Sequence, residues 1–452
     1  MSRSQLSPLT LEPRQEEVVK RIASEPTRSA LNASLMGTGK TLMSVEVAKR
    51  IEAKVILIIA PLNTYWGWWD TIQRQNNYQA TIKKIDSSKT GLLAMRAIRT
   101  GEAGWYFVGR EYFRTKEWAK IPVDLVLVDE CHFAQNRASK SFKVLKTLNA
   151  GFRLSMSGTP SGNKFEGFWA VSRFLWKDTN IVDKSFWKWV EKYAKTAYSP
   201  FAGVEITGER VAGAFVKSLP CYVRLEPNHS LEVVEETRYV DLAPAQRKVY
   251  DKFERDLVVF LEGNPMIAEV PIAARIRLRQ ITLAVPTIVD DEIIFAEDAV
   301  STKFKALQEI IEDYPDDAML LLTDSQKYAR IVARRLGDKA FEWSGQASQS
   351  NREEAKQKFL RGEIKYIVAV IPAIAEGVDG LQDVCSTIVW LSHSDSNILN
   401  QQVIDRVRRR GQKQVVKIYD IVARDTYDEG QISTLLQRQI EMNATLKKEG
   451  NK

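Results

Sequence analysis

Short apolar runs alternate with helix-like segments along most of this 452-residue chain, and this alternation limits the folds open to it. Four runs lie in the first third (54–61, 104–109, 124–130 and 152–158) and four in the last third (318–324, 364–371, 386–392 and 416–422). Continuous apolar strands separated by helices are typical of parallel sheets covered on both faces. Because the pattern occurs twice, we predict an α/β fold with two parallel-sheet domains in tandem.

The middle of the chain follows a different pattern. It carries aromatic clusters such as FEGFWAVSRFLW and SFWKWVEKY, which we expect to form helices that pack against the first domain. A chain of this length is too long for one ordinary core. We predict a first domain over 1–165, a helical, aromatic-rich connection over 166–300, a second domain over 301–440 and a tail over 441–452.

Composition excludes several classes of protein. The three cysteines lie far apart, and with only three histidines in the chain they cannot supply a disulfide framework or a local zinc site. The N-terminal segment lacks the apolar core of a signal peptide, and the longest apolar runs are shorter than the roughly 20 residues of a membrane span. We expect a cytoplasmic protein that is not secreted, with no membrane and no zinc. The net charge of +8 fits a polyanionic partner.

The segment SLMGTGKTLMSVEVAKR predicts a phosphate-binding loop that opens a helix. Its glycines let the backbone N–H groups face phosphate oxygens, and the helix N-terminus adds a favourable dipole. Lys40 would place a positive charge on the phosphates, and the Thr41 hydroxyl would be a magnesium ligand. A glycine turn that caps a helix is the alternative, but the strand-like SALNASL before the loop favours nucleotide binding. The loop residues are Gly37, Thr38, Gly39, Lys40 and Thr41, with Ser34 where the common pattern has its first glycine.

The stretch VDLVLVDECHF leaves two kinds of site open. Cys131 next to His132 could be a thiol nucleophile or a metal ligand, whereas Asp129 and Glu130 could hold magnesium and activate water. Downstream of a phosphate loop, on a buried strand, the carboxylates are the stronger candidates. We therefore predict that Asp129 binds Mg²⁺, that Glu130 positions or deprotonates the attacking water, and that Cys131 is a small packing residue.

Taken in order, MGTGKT, DECH, SGTP and DRVRRRGQ resemble the motifs of the superfamily 2 helicases and translocases. The chain is most similar to the Snf2-like branch, because further segments resemble that branch in the same order: APLNTYWGWWD, DECHFAQNRASKSF, DLAPAQRKVYDKF, RIRLRQITLAVP and STKFKALQEII. The resemblance covers nearly the whole chain. It implies two RecA-like P-loop domains with a helical insertion, ATP and Mg²⁺ at the site, and DNA as the partner.

The resemblance also implies roles in the nucleotide site. Arg14 and Gln15 would lie at the adenine, and His132, Ser157 and Thr159 would couple hydrolysis to domain motion. In the second domain the motif residues are Glu376, Gly377, Asp379, Gln402, Arg406 and Arg409. Arg406 and Arg409, three apart and so expected on one helical face, would be arginine fingers that neutralise the transferred phosphoryl group.

DNA contacts are implied by the same resemblance, at loops where the family touches the phosphate backbone. These residues are Asn63, Thr64, Arg110, Ser344, Gly345 and Arg352. For Trp66, Trp68 and Trp69 both base stacking and core packing are open, and we favour packing for at least two of them.

The sequence departs from the family pattern at two places, and both concern the coupling of ATP hydrolysis to motion rather than hydrolysis itself. Arg408 stands where the family has its usual histidine, and IPAIAEG replaces a form that contains Ser or Thr. Arg408 and Arg410 we interpret as part of a solvent-facing or nucleic-acid-facing basic run.

These patterns predict an ATP-dependent translocase or helicase that moves on duplex or branched DNA in replication, recombination or repair, including branch migration. Its small size is similar to that of compact phage or bacterial members. Three alternatives stay open: the motor subunit of a restriction or nuclease complex, a nucleotide-gated DNA clamp with little turnover, and an RNA helicase. The sequence identifies no protein partner.

Overall fold

The computed structural model of the chain describes residues 6–162, 164–199, 203–227, 232–263, 272–289, 292–375, 378, 380–409 and 411–446. The chain divides into two compact units. The first consists of 1–197, 204–228 and 441–452, and the second of 198–203 and 229–440. Each unit contains its own parallel sheet, which confirms the two tandem α/β domains.

The first unit is built on nine strands and nine helices among its described residues. The strands are β1 (Ser29–Asn32), β2 (Val55–Ala60), β3 (Ile82–Ile85), β4 (Gly104–Gly109), β5 (Val123–Asp129), β6 (Ala150–Met156), β7 (Ala194–Ser199), β8 (Gly203–Glu209) and β9 (Tyr222–Val223). The helices are α1 (Pro13–Ala23), α2 (Lys40–Arg50), α3 (Tyr65–Gln75), α4 (Lys89–Arg99), α5 (Arg110–Phe113), α6 (Lys140–Thr147), α7 (Gly167–Leu175), α8 (Phe186–Tyr193) and α9 (Ala214–Ser218).

The main sheet of this unit has the strand order β3-β4-β2-β5-β6-β1-β9. Its central strands are buried along nearly their whole length, as parallel strands covered by helices require. In register, Met156 at the end of β6 lies between Asn32 at the end of β1 and Asp129 at the end of β5. The loops that follow these three strands therefore leave the sheet side by side.

The aromatic residues downstream of β6 belong to the core of the first unit. Phe168, Trp169 and Trp176 of the α7 region and Trp189 of α8 are buried in one cluster with strand residues such as Val126. The prediction that these helices pack against the first domain is confirmed. Residues 166–197 and 204–228 thus lie in the first unit and 229–300 in the second, whereas the sequence predicted one connecting segment.

The second unit contains eight strands and eight helices among its described residues. The strands are β10 (Val233–Val240), β11 (Thr287–Val289), β12 (Glu292–Ile294), β13 (Ala318–Thr323), β14 (Ala340–Trp343), β15 (Tyr366–Val370), β16 (Cys385–Trp390) and β17 (Val416–Ala423). The helices are α10 (Pro244–Gly263), α11 (Ile272–Leu283), α12 (Thr302–Asp313), α13 (Gln326–Leu336), α14 (Gln349–Leu360), α15 (Ile371–Ala375), α16 (Asn397–Val407) and α17 (Tyr427–Leu446).

The parallel sheet of the second unit has the order β10-β17-β16-β13-β15-β14, and β11 and β12 form a separate antiparallel hairpin. All eight apolar runs of the sequence analysis coincide with strands of the two parallel sheets, so those predictions are confirmed. Among the described residues, no helix combines the length and the apolar character that crossing a bilayer would require.

Buried charges fix the helices of the second unit. Lys303 of α12 is 1% exposed and pairs with Asp428 of α17 at 2.6 Å. Arg279 of α11 is 4% exposed and pairs with Asp395 at 3.0 Å and with Asp324. A buried charge that loses its partner is strongly destabilising, so packing arrangements of the three helices that separate these pairs are disfavoured.

The last described residues continue α17. Leu446 is 1% exposed within the core of the first unit, and its carbonyl accepts a hydrogen bond from the Tyr222 hydroxyl at 3.1 Å. The sequence predicted a tail from 441, but burial of this leucine holds residues 441–446 in the helix.

Candidate active site

The candidate site lies on the first unit, at the carboxyl ends of β1, β6 and β5. These ends lead into the phosphate-binding loop, the segment 157–160 and the Asp129–Glu130 pair, respectively. Ligand sites of open α/β sheets form at this edge, because loops from neighbouring strands meet there. Parallel pairing thus brings together three motifs that are distant in sequence.

The phosphate-binding loop curls tightly because two glycines adopt the left-handed conformation. Gly37 has a φ of 76°, and Gly39, which immediately precedes α2, has a φ of 82°. Side chains other than hydrogen disfavour this conformation. Lys40 Nζ donates hydrogen bonds to the carbonyls of Ser34 at 2.9 Å and Leu35 at 3.1 Å. The ammonium group is therefore held inside the curl of the loop, where a bound phosphate would meet it.

Gln15 packs directly on this loop. It is 6% exposed, its Nε2 donates to the Thr38 carbonyl at 2.9 Å, and a Cβ placed on Gly39 would lie only 2.6 Å from that nitrogen. A side chain at position 39 would therefore displace the Gln15 amide, and the positive φ independently favours glycine there. Arg14, its neighbour on α1, donates instead to the carbonyl of Glu226 at 2.5 Å. The structure brings Gln15 to the loop, and the adenine role of both residues stays a prediction.

Ser34 stands at the position where the common phosphate-loop pattern has its first glycine, and its contacts show why a serine fits there. The side chain is buried, its Oγ accepts a hydrogen bond from the Leu225 N–H at 2.9 Å, and its own N–H donates to Asn32 Oδ1 at 3.1 Å. A short hydroxyl side chain fits here because the segment after β9 supplies a donor for it.

Asp129 is held by a tryptophan. Its Oδ2 accepts a hydrogen bond from Trp68 Nε1 at 3.1 Å, and its Oδ1 accepts one from the Glu130 N–H at 3.0 Å. Glu130 itself has φ 49° and ψ 54°, a left-handed conformation that non-glycine residues adopt at a cost. Strain of this kind persists where surrounding contacts enforce it, and here the Glu130 side chain is hydrogen-bonded to Ser157 of segment 157–160.

Glu130, His132 and Ser157 form a compact hydrogen-bonded group. Glu130 Oε2 accepts from Ser157 Oγ at 2.9 Å and lies 3.2 Å from His132 Nδ1. His132 Nδ1 is 3.1 Å from the same Ser157 Oγ, which also accepts from the Thr159 N–H at 3.1 Å. The three predicted coupling residues are therefore brought together around the carboxylate, although their coupling role stays a prediction.

The two carboxylates have opposite electrostatic environments. Burial, and then the negative charge of Glu130, raise the pKa of Asp129. Burial acts in the same sense on Glu130, but the hydrogen bond and charge of His132, together with Lys40, outweigh it and lower the pKa of Glu130. Glu130 is therefore the more readily ionised carboxylate of the pair.

The donors at this edge fit Mg²⁺. Asp129 offers a buried carboxylate whose ionised form is disfavoured without a nearby cation, and Thr41 in the first turn of α2 offers a hydroxyl. Hard oxygen ligands of this kind suit Mg²⁺, which keeps several waters and takes further oxygens from phosphate. In the part of the chain that the structure describes, no three His, Cys, Asp or Glu side chains cluster to hold a metal ion by themselves.

Cys131 has the environment of a packing residue. It is 1% exposed, and burial together with the negative charges of Glu130 and Asp129 raises the pKa of its thiol well above the usual range. A thiol that stays protonated is a poor nucleophile and a poor metal ligand.

Three predicted DNA-contact residues lie on loops of the first unit. Asn63 is exposed and Thr64 is half-buried in the turn after β2. Arg110 begins α5, lies 5.8 Å from the ring centroid of Phe133, and is close enough for its charge to act on Asp129. The structure thus places Arg110 close to the carboxylate edge, and its DNA role stays a prediction.

The tryptophans of α3 divide into different environments. Trp68 is 2% exposed and belongs to the core, Trp69 is half-buried, and Trp66 is 62% exposed. Packing is confirmed for Trp68. The sequence analysis missed the hydrogen bond of Trp68 to Asp129, because sequence spacing does not show which strand end α3 faces.

Arg224 is a second residue that the sequence analysis missed. Its Nη1 donates to the carbonyls of Ala33 at 2.9 Å and Gly158 at 3.2 Å, so it ties the phosphate-loop strand to the segment after β6. The sequence offers no signal for it, because it follows the two-residue strand β9 outside every motif.

Three more predicted DNA-contact residues lie together in the second unit. Arg352, in the first turn of α14, donates from Nη2 to the carbonyl of buried Ser344 at 2.7 Å, and Gly345 beside it is exposed. This contact positions the arginine over the loop after β14 and leaves the DNA role untested.

The predicted arginine fingers do not share a helical face, and that part of the prediction is wrong. Arg406 lies in α16 and donates from Nη2 to the Ala375 carbonyl at 2.8 Å, but the helix ends at Val407 and Arg409 follows it. The Gln412 side chain donates to the Val407 carbonyl at 3.4 Å, which gives a hydrogen-bond donor to a carbonyl at the end of the helix.

The other predicted residues of the second unit are only partly described. Gln402 also lies in α16, whereas Glu376, Gly377, Asp379 and Arg410 fall outside the described residues.

Comparison with known proteins gives consistent matches along the chain. The SNF2-related domain matches residues 15–282, more than half of the chain, and the helicase conserved C-terminal domain matches residues 302–411. The uncharacterized ATP-dependent helicase YqhH of Bacillus subtilis is 23% identical, with 94% of this chain and 78% of that protein covered. The ISWI chromatin-remodeling complex ATPase ISW1 of Saccharomyces cerevisiae is 23% identical over 93% of this chain, which spans only 39% of its length. The solved SWI2/SNF2 ATPase core of Sulfolobus solfataricus in complex with dsDNA aligns with 98% of this chain and 95% of its own, at 19% identity and a TM-score of 0.44.

Proposed function

The chain belongs to the SNF2-related family, and on that premise we propose that it is a DNA-dependent ATPase that couples ATP hydrolysis to movement along DNA. The proposed substrate is duplex or branched DNA, as found in replication, recombination or repair. The observation that carries the proposal is the assembly of the phosphate loop, Asp129 and the Glu130–His132–Ser157 group at one edge of the first sheet.

In the proposed reaction each residue of this edge has a distinct task. The N–H groups of the loop and Lys40 would hold the phosphates, and Thr41 with Asp129 would hold Mg²⁺, which neutralises phosphate charge when bound. Glu130, ionised and fixed by Ser157 and His132, would orient the attacking water and accept its proton. Because the low pKa of Glu130 makes it a weak base, orientation of the water would be its larger contribution.

The second unit would complete hydrolysis through Arg406 and Arg409. A guanidinium group neutralises charge that spreads over the oxygens of the transferred phosphoryl group, and Lys cannot match its planar fork. The hydrogen bond of Arg406 to Ala375 ties this arginine to α15. We propose roles for Gln402, Gly377 and Asp379 at the nucleotide, and for His132, Ser157 and Thr159 in transmitting its state.

DNA would be held through its phosphates. We propose Asn63, Thr64 and Arg110 on the first unit, and Ser344, Gly345 and Arg352 on the second, as backbone contacts. Contacts of this kind position a motor without reading sequence, and each phosphate neutralised releases counterions. The affinity should therefore be independent of sequence and fall steeply with salt.

The proposal predicts that DNA stimulates the ATPase and that RNA does so far less. ATP turnover would be measured with single-stranded, duplex, forked and four-way junction DNA, and with a matched RNA duplex, at two or more salt concentrations. We expect stimulation by DNA, and the DNA concentration for half-maximal stimulation should rise by orders of magnitude between about 50 and 200 mM salt. Turnover that no DNA alters would contradict the motor, and equal stimulation by RNA would favour an RNA helicase.

Trp68→Phe tests whether the indole N–H positions the magnesium carboxylate. Phenylalanine keeps most of the packing but removes the donor to Asp129, and hydrogen bonds to charged groups contribute about 1.5–3 kcal/mol. We expect the Mg²⁺ concentration for half-maximal ATPase to rise about tenfold, with an equal weakening of Mg²⁺-dependent binding of a fluorescent ATP analogue. Trp118→Phe is the matched control, because Trp118 is also buried but donates to the Phe113 carbonyl. An unchanged Mg²⁺ dependence in Trp68→Phe would remove this role.

A further inference from the structure

Trp66 is an exposed indole held in place by aromatic neighbours. It is 62% exposed, and Leu62, one turn earlier, is 57% exposed. Its ring meets Tyr65 edge-on at a centroid distance of 5.0 Å and Trp69 at 6.0 Å, and Tyr65 in turn packs edge-on against Phe107 at 5.1 Å. We call Leu62, Tyr65, Trp66 and Trp69 the indole platform. Because its neighbours restrict the ring, a ligand on the platform would cost little side-chain entropy.

A basic groove begins at the platform. It has a volume of about 740 Å³, runs beside the edge strand β3, and shares Tyr65 with the platform. Three basic residues line it, Lys83, Lys84 and Arg96, against two acidic ones, Asp86 and Glu102, so the lining keeps an excess of positive charge. Lys84 lies 3.4 Å from Asp86 and 5.9 Å from the Tyr65 ring centroid, and Lys83 pairs with Glu102. The side chains of both ion pairs are about one quarter to one half exposed, so solvent weakens the pairs and a phosphate could compete with the carboxylates.

An aromatic platform next to a basic groove is the combination that binds single-stranded nucleic acid. Bases stack on the aromatic rings while cationic side chains follow the backbone. In a paired duplex both faces of each base are already stacked, so only an unpaired nucleotide offers a face to Trp66. We propose that the indole platform and the basic groove bind an unpaired DNA strand, with one base on Trp66 and neighbouring phosphates on Lys83, Lys84 and Arg96. This inference rests on the proposed function and adds the class of DNA: molecules with unpaired nucleotides, such as forks.

The position of the platform supports DNA rather than a protein as the occupant. It follows β2 at the carboxyl edge of the sheet, next to Asn63 and Thr64, and α3 carries both Trp66 and the Asp129 partner Trp68. A protein partner seated on an apolar patch would not need the lysines that line the adjoining groove. A single DNA strand would use both surfaces, because its bases can stack on the indole platform and its phosphates can bind the lysines of the groove.

The test compares variants of the full chain on three DNA molecules. Fluorescence anisotropy would give the dissociation constants for labelled oligo-dT, a blunt duplex and a fork with two unpaired arms. We expect Trp66→Ala to weaken binding of oligo-dT and the fork about tenfold and to leave the duplex within about twofold. Trp66→Phe should recover part of the loss, because phenylalanine still stacks. Trp187→Ala is the matched control, since Trp187 is 53% exposed on the same unit.

Salt dependence separates the two parts of the surface. Lys84→Ala should lower the slope of log affinity against log salt for oligo-dT by about 0.7, whereas Trp66→Ala should leave that slope unchanged. Equal loss on all three DNA molecules, or no loss on any, would overturn the inference. If duplex DNA stimulates the ATPase of the unmodified protein and Trp66→Ala shows no selective loss, only this inference fails. If no DNA stimulates the unmodified protein, the proposed function itself fails.

Discussion

Arg409→Ala is expected to lower DNA-stimulated ATP turnover by about 10³–10⁵-fold, the largest effect that we predict for a single substitution. Charge develops on the oxygens of the transferred phosphoryl group, and loss of a guanidinium group that neutralises it raises the barrier directly. Arg409 lies beyond the end of α16, where its N–H donates to the Val407 carbonyl at 3.0 Å and its carbonyl accepts from the Gln412 N–H at 3.0 Å. Steady-state turnover at saturating ATP and DNA is the measurement. Arg409→Lys should recover little, since an ammonium group lacks the planar fork.

Arg408→Ala is the control for Arg409, because Arg408 is adjacent in sequence and exposed. We expect its turnover to stay within about twofold of the unmodified protein at saturating DNA. An arginine finger acts on ATP hydrolysis and not on DNA affinity. The low ATP turnover of Arg409→Ala should therefore persist at any DNA concentration. A loss that additional DNA restores would identify Arg409 as a DNA contact instead.

Glu130→Gln is expected to lower turnover by about 10²–10⁴-fold while leaving ATP binding in place. The amide keeps the size of the side chain and can still accept from Ser157, but it cannot take a proton from water. It also loses the charge that His132 stabilises at 3.2 Å. Turnover would be measured together with equilibrium binding of a fluorescent ATP analogue, so that a binding defect is separated from a chemical one.

Glu111→Gln is the control for Glu130, since Glu111 is an exposed carboxylate that pairs with Arg114. Its turnover and nucleotide binding should match those of the unmodified protein. Normal turnover in Glu130→Gln would be incompatible with the proposed catalytic edge, and so would loss of nucleotide binding equal to the loss of turnover.

Much of the fold is predictable because its signals are local. A run such as VILIIA at 55–60 is long enough, apolar enough and bounded sharply enough to predict a buried parallel strand, and β2 occupies those residues. The GTGKT loop is equally local, since Gly37 and Gly39 need positive φ and Lys40 opens the following helix. The order of the motifs along the chain predicts two P-loop domains in tandem.

Other features depend on which segments become neighbours, and no short window of sequence carries that information. The extent of α16 is one example: Arg406 and Arg409 have helical spacing, but Gln412 reaches back to the Val407 carbonyl and the helix stops before Arg409. The division of the middle segment between the two units is another example. Its aromatic side chains are buried against the sheet of the first unit. The helices that carry Arg279 and Lys303 belong to the second unit, where both residues form buried ion pairs.

The sequence by itself was enough to predict the two parallel sheets, the phosphate loop, and Asp129 and Glu130 as the carboxylates beside that loop. Each of these features has a local signal: an apolar run, a pair of glycines or the polar end of a strand. Only the tertiary structure decided that Trp68 holds Asp129, that Ser157 and His132 meet on Glu130, and that Trp66 stays exposed beside a basic groove. Those contacts join residues from different strands and helices. They follow from sheet order and helix orientation, which the packing of the whole domain sets.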